Sequence, residues 1–69
     1  MTIDERMIAF GKRVREVRKS KGISQEKLAE MAAIDRSYMG NIERGEKNIT
    51  LKKAYEICDA LGIEIRDLV

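Results

Sequence analysis

The 69-residue chain has no histidine, no proline, no tryptophan and only one cysteine. Without an imidazole there is no Ser–His–Asp triad, no histidine base and no Cys/His zinc site. A lone cysteine cannot form an internal disulfide, so the cross-links of small secreted scaffolds are missing. No uncharged run approaches the ~20 residues of a membrane span. Asp4, Glu5 and Arg6 stand where the apolar segment of a signal peptide would lie. These absences point to a soluble, reduced, cytoplasmic protein without metal, cofactor or membrane partner. They also count against an enzyme: no phosphate-cradling glycine loop is present, and the carboxylates Glu26 and Glu30 read as an exposed helix face. A chain this short buries only ~60% of its unfolded surface, so one domain over residues 1–69 is marginal alone and gains from pairing.

Charge is unevenly spread. The formal total is +2, but residues 1–22 carry +4 and the remainder carries −2. Such asymmetry suits a protein that turns one face to an anionic partner.

Strand signals are nearly absent, and helical periodicity is strong. Met7, Phe10, Val14 and Val17 form one apolar stripe on a first helix expected from about Asp4 to Ser20, with Gly22 as its stop. Ser24 caps a second helix with Leu28, Met31 and Ala32 facing inward. Asp35 caps a third, with Met39 and Ile42 inside and Gly45 closing it. Thr50 caps a fourth, carrying Leu51, Ala54, Ile57, Cys58 and Leu61 inside, and Gly62 ends it. Ile63–Val69 is expected to add a short fifth helix. The fold class is therefore all-α, five short helices in one compact domain.

The second and third helices are joined by so brief a turn that they must cross steeply. Ala29 supplies the small residue such a contact needs, and Leu28, Ile34, Met39 and Ile42 supply its apolar flanks. Subtracting these leaves Arg36, Ser37, Gly40, Asn41 and Arg44 on the outer face of the third helix, with Tyr38 alongside. A helix bearing short polar and guanidinium side chains fits a DNA major groove.

From Val17-Arg18-Lys19-Ser20-Lys21-Gly22-Ile23-Ser24-Gln25 through Ile42-Glu43-Arg44-Gly45 to Leu61-Gly62-Ile63, the chain resembles the phage-repressor and Cro-like helix-turn-helix family. That family includes the xenobiotic-response-element type of bacterial regulator. The Asp35-Arg36-Ser37-Tyr38 opening and the Lys47-Asn48-Ile49-Thr50 loop are also similar to the controller proteins of restriction–modification systems. The resemblance implies a lambda-repressor-like domain with its helix-turn-helix over about residues 24–44, in helices 2 and 3. It also implies roles for individual residues. Gln25 matches a phosphate anchor at a helix N-terminus. Arg36 and Ser37 match the base-reading first turn, with Tyr38 a candidate for a thymine methyl or phosphate and Asn41 for a base edge. Arg44, Lys47 and Asn48 match the loop that grips the DNA backbone. Arg18 and Glu43 match a partly buried ion pair between helices 1 and 3. Ala33 departs from the pattern, standing where the family usually has glycine.

The function so implied is sequence-specific binding of a double-stranded DNA operator, in transcription regulation, by a homodimer. Two recognition helices would sit ~34 Å apart on a pseudo-palindrome. Tyr55, Ile65, Leu68 and Val69 are the apolar residues left for the dimer surface, and no small-molecule effector domain is expected. The alternative is an antitoxin-type interaction module that binds a partner protein as well as DNA.

Overall fold

Helices begin where a short polar side chain can satisfy N–H groups that have no intrahelical partner. The computed structural model describes residues 4–69 and shows four such starts. Asp4 accepts from the Arg6 N–H at 2.8 Å, and Ser24 from the Lys27 N–H at 3.0 Å. Asp35 accepts from the Ser37 N–H at 3.0 Å, and Thr50 from the Lys53 N–H at 3.1 Å. They open α1 (Glu5–Ser20), α2 (Gln25–Met31), α3 (Arg36–Glu43) and α4 (Leu51–Leu61). Asp4 is thus the cap of α1 and not its first residue.

The expected fifth α-helix is a single 3-10 turn, Ile65–Asp67. The Glu64 N–H donates to Asp67 Oδ2 at 3.0 Å, closing the tighter turn. Among the described residues there is no strand.

The turn between α2 and α3 closes in a left-handed conformation. The Ile34 N–H donates to the Ala29 carbonyl at 2.8 Å, and the residue between, Ala33, has φ 56°. An L-residue with a Cβ is strained there by about 1–2 kcal/mol. Ala33 is exposed, so burial of its methyl does little to offset the strain. Ala33→Gly should therefore stabilise the domain by about 0.5–1 kcal/mol after the greater entropy of the unfolded glycine is counted. Thermal unfolding should show a rise of a few degrees; a fall would contradict the strain.

Each helix contributes to one core. Val14, Leu28, Met39, Ile42 and Ile57 are fully enclosed, and Phe10, Ala29, Ile34, Ala54, Cys58, Leu61 and Leu68 surround them. Burial pushes the Cys58 thiol above its ordinary range, and the nearby Asp59, Asp67 and Glu64 charges act in the same direction. Three positions correct the sequence reading. Met31 is 46% exposed, because it lies roughly a third of a turn off the stripe formed by Leu28, Ala29 and Ala32. Leu51 is 66% exposed, one turn before Tyr55 on the same side of α4. Leu68 is only 3% exposed and belongs to the core of its own chain, so it has almost no area to offer a second copy.

α1 and α3 approach each other at a glycine. A Cβ on Gly11 would lie 2.2 Å from the Ile42 carbonyl oxygen and 2.7 Å from that of Glu43. That closeness brings the end of α3 against α1 and sets the position of the polar groups described next.

Candidate nucleic-acid interface

The framework is a buried ion pair. Arg18 on α1 and Glu43, the last residue of α3, are each 7% exposed. Arg18 Nε donates to Glu43 Oε2 at 2.7 Å and Nη2 donates to Oε1 at 3.1 Å, a two-pronged geometry. The third nitrogen, Nη1, donates to the Ile23 carbonyl at 2.8 Å in the turn between α1 and α2. Glu43 Oε1 also accepts from Gln25 Nε2 at 3.1 Å. One carboxylate and one guanidinium therefore join α1, the following turn, the first residue of α2 and the end of α3. Desolvating two charges is tolerable here because their lone pairs and protons are so fully used.

Gln25 is half-buried and stands at the N-terminus of α2. One of its two amide protons is committed to Glu43, which fixes the side chain and leaves the other free to donate. The expected phosphate anchor is thus held from behind by a residue that the sequence reading assigned only to structure.

The outer side of α3 runs along i, i+4 steps through Arg36, Gly40 and Arg44, with Ser37 and Asn41 beside them. Arg36 and Ser37 are exposed, and among the described residues neither side chain makes an ion pair or hydrogen bond within the chain. Asp35, which caps the helix, sits immediately before them. Tyr38 is half-buried and packs against the core. Lys47 Nζ lies 6.0 Å from the centre of the Tyr38 ring, at the outer limit of a cation–π contact. Asn48 is exposed in the same loop.

Gly40 was expected on the open face but is buried. A Cβ there would be 3.2 Å from Arg44 Nη1 and 3.4 Å from Gln25 Oε1, so these two side chains cover it. The structure thus brings together two of the residues that the family resemblance gives to phosphate, one at the start of α2 and one just after the end of α3. Arg44 is itself engaged. Its Nη2 donates to Asn41 Oδ1, and its Nε donates to Glu46 Oε1 at 3.1 Å. Glu46 reads in the sequence only as the start of a polar loop, with no role of its own. Its only local signal was a carboxylate within a loop of donors.

The residues expected between two copies divide. Val69 is 86% exposed and Tyr55 is 48% exposed. Ile65 is half-buried against the core, and Leu68 lies within it. No helix among the described residues is long and apolar enough to cross a membrane. The described residues also hold no His/Cys/Asp/Glu group able to hold a metal ion.

Known proteins are similar to this chain in sequence and in fold. A helix-turn-helix family model matches residues 14–68. The control protein C.BamHI of Bacillus amyloliquefaciens is 43% identical over 70 residues, covering all of this chain and 85% of that protein. The crystal structure of the restriction–modification controller protein C.AhdI from Aeromonas hydrophila superposes with a TM-score of 0.92 at 44% identity, covering 96% of this chain and all of that one. The controller protein C.Esp1396I, solved as a tetramer with its natural 35 base-pair operator, superposes with a TM-score of 0.84 at 30% identity, over 88% of this chain and 80% of that one. The chain belongs to the helix-turn-helix family and is similar within it to the controller proteins of restriction–modification systems.

Proposed function

We propose that this chain is a transcription regulator that binds double-stranded DNA sequence-specifically as a homodimer and controls a restriction–modification operon. The observation that carries the reading is the α3 surface. Arg36 and Ser37 are free at its first turn, and Gln25 and Arg44 flank it across the buried Gly40. In this reading α2, the turn at Ala33 and α3 are the helix-turn-helix, and α3 is the recognition helix. An α-helix with its side chains is about 10–12 Å across, which fits the ~12 Å width of a major groove. The controller-type relatives favour an operator reader over the antitoxin-type alternative.

Arg36 is assigned to guanine O6 and N7, the bidentate contact a guanidinium makes best. Ser37, Tyr38 and Asn41 read or flank neighbouring positions. Gln25, Arg44, Lys47 and Asn48 hold the phosphates. Tyr55 and Val69, extended by the exposed Leu51 and the half-buried Ile65, form the surface that pairs with a second copy. Pairing places two α3 helices about one DNA turn (~34 Å) apart.

Selection of bound fragments from random duplex DNA tests the reading directly. An inverted repeat is the expected product, and failure to enrich any sequence would refute it. On the selected site, Arg36→Ala should cost ~1–3 kcal/mol and relax the preference at one base pair per half-site. Lys47→Ala should weaken all duplexes alike and reduce the steepness of the salt dependence. Unchanged affinity and preference after Arg36→Ala would remove it from the reading face.

A further inference from the structure

Glu46 is a carboxylate placed among donors: Arg44 and Lys47 carry positive charge on either side of it, and Asn48 follows. Its backbone position is determined by how α3 ends. The Glu46 N–H donates to the Asn41 carbonyl at 2.9 Å and the Gly45 N–H to that of Ile42 at 3.0 Å, with Gly45 at φ 75°. Glu46 therefore lies just beyond the C-terminus of α3. The helix dipole disfavours negative charge there. Glu46 is also exposed, and an exposed ion pair contributes little to folding. Neither local stability nor core packing accounts for a carboxylate at this place.

What the carboxylate does is occupy Arg44. Glu46 Oε1 accepts from Arg44 Nε at 3.1 Å while Arg44 Nη2 donates to Asn41 Oδ1. A carboxylate and a DNA phosphate offer a guanidinium the same kind of anionic oxygen. We propose that Glu46 is an internal stand-in for phosphate, holding Arg44 in the unbound protein and lowering the sequence-independent part of DNA affinity. This rests on the DNA-binding reading above and adds to it an acidic residue that limits binding to arbitrary DNA.

Non-specific affinity comes almost wholly from cations that neutralise phosphates and release their counterions. An arginine already neutralised within the protein must exchange one anion for another and gains correspondingly less. Lys47 has no carboxylate partner among the described residues, so it keeps its full contribution. The same clasp orients Asn41. A guanidinium has donors only, so the atom facing it must be the amide oxygen, and Asn41 Nδ2 is left to donate outward.

The test is titration of a labelled random-sequence duplex with the wild-type protein, Glu46→Gln and Asp59→Asn over a range of salt. Asp59 is exposed on α4, outside the two helices assigned to DNA, and its substitution makes the same change in net charge. Glu46→Gln should bind roughly three- to tenfold more tightly, with the slope of log K against log salt steeper by up to ~0.9. Asp59→Asn should change affinity by less than about twofold, since among the described residues Asp59 pairs with none of the cations assigned to phosphate. Unchanged or weaker binding by Glu46→Gln would overturn the proposal, as would an equal gain from Asp59→Asn. If the wild-type protein bound no duplex at all, the DNA-binding reading itself would fall, which is a distinguishable result.

Discussion

Glu43→Ala should destabilise the domain by about 3–5 kcal/mol, the range for removing one partner of a buried ion pair. The loss does not measure the worth of the pair. It arises because Arg18, 7% exposed, would be left as a buried charge whose Nε and Nη2 have lost their acceptors. Against a total folding free energy of ~5–15 kcal/mol, with a small domain at the low end, this is most of the stability. Urea titration followed by circular dichroism would measure it, and a midpoint near that of the wild type would show that the pair is not desolvated in solution. Replacing both partners, Arg18→Met with Glu43→Leu, should recover most of the loss, because a packed apolar pair carries no desolvation cost. The double substitution separates two roles of Glu43. It restores packing but gives Gln25 Nε2 no acceptor. DNA affinity should then fall by about fivefold, the value of one lost hydrogen bond of ~1 kcal/mol, while stability is regained. If affinity returned along with stability, Glu43 would have no part in holding Gln25.

Gly11→Ala should be nearly as damaging, against the direction that helix propensity alone predicts. Alanine is favoured over glycine by about 1 kcal/mol inside a helix. At Gly11, however, the added methyl would lie 2.2 Å from the Ile42 carbonyl oxygen and 2.7 Å from that of Glu43. Both contacts are backbone, so no side chain can rotate away. α3 would have to separate from α1, which opens the core around Val14 and Ile42 and pulls Glu43 from Arg18. Overpacking of this kind costs about 3 kcal/mol or more when the obstacle cannot yield. Thermal unfolding should show a melting temperature lower by ten degrees or more, on a scale of about 4–8 °C per kcal/mol for a domain of this size. A melting temperature at or above the wild-type value would mean that the two helices do not meet so closely. Lys12→Ala, at an exposed neighbouring position, should leave the transition almost unmoved.

These two positions illustrate what was legible in advance. Arg18 and Glu43 were recognisable only through family resemblance, since nothing local pairs residues so distant in the chain. Gly11 gave no signal, because it sits in a helix whose apolar stripe continues without it. The starts of α2, α3 and α4 were legible because Ser24, Asp35 and Thr50 act on N–H groups two or three residues away. The left-handed turn at Ala33 was signalled only by the family resemblance, in which glycine usually stands there. Gly40, Met31, Leu51 and Leu68 were misplaced for one shared reason. Periodicity says which residues share a face of a helix, but whether that face is covered depends on what another helix brings to it.

The sequence alone determined the local structure and the chemical inventory: the capped starts of α2, α3 and α4, an apolar set sufficient for one core, a basic N-terminal segment and no imidazole. Caps, stops and turns are governed by interactions within a few residues, so each short segment carries its own instructions. Only the tertiary structure decided that Leu68 is internal while Val69 is exposed, and that Gln25 and Arg44 meet over Gly40. It also decided that the Glu43 carboxylate positions Gln25. Those outcomes depend on how the helices pack against one another, which is set jointly by residues far apart in the chain.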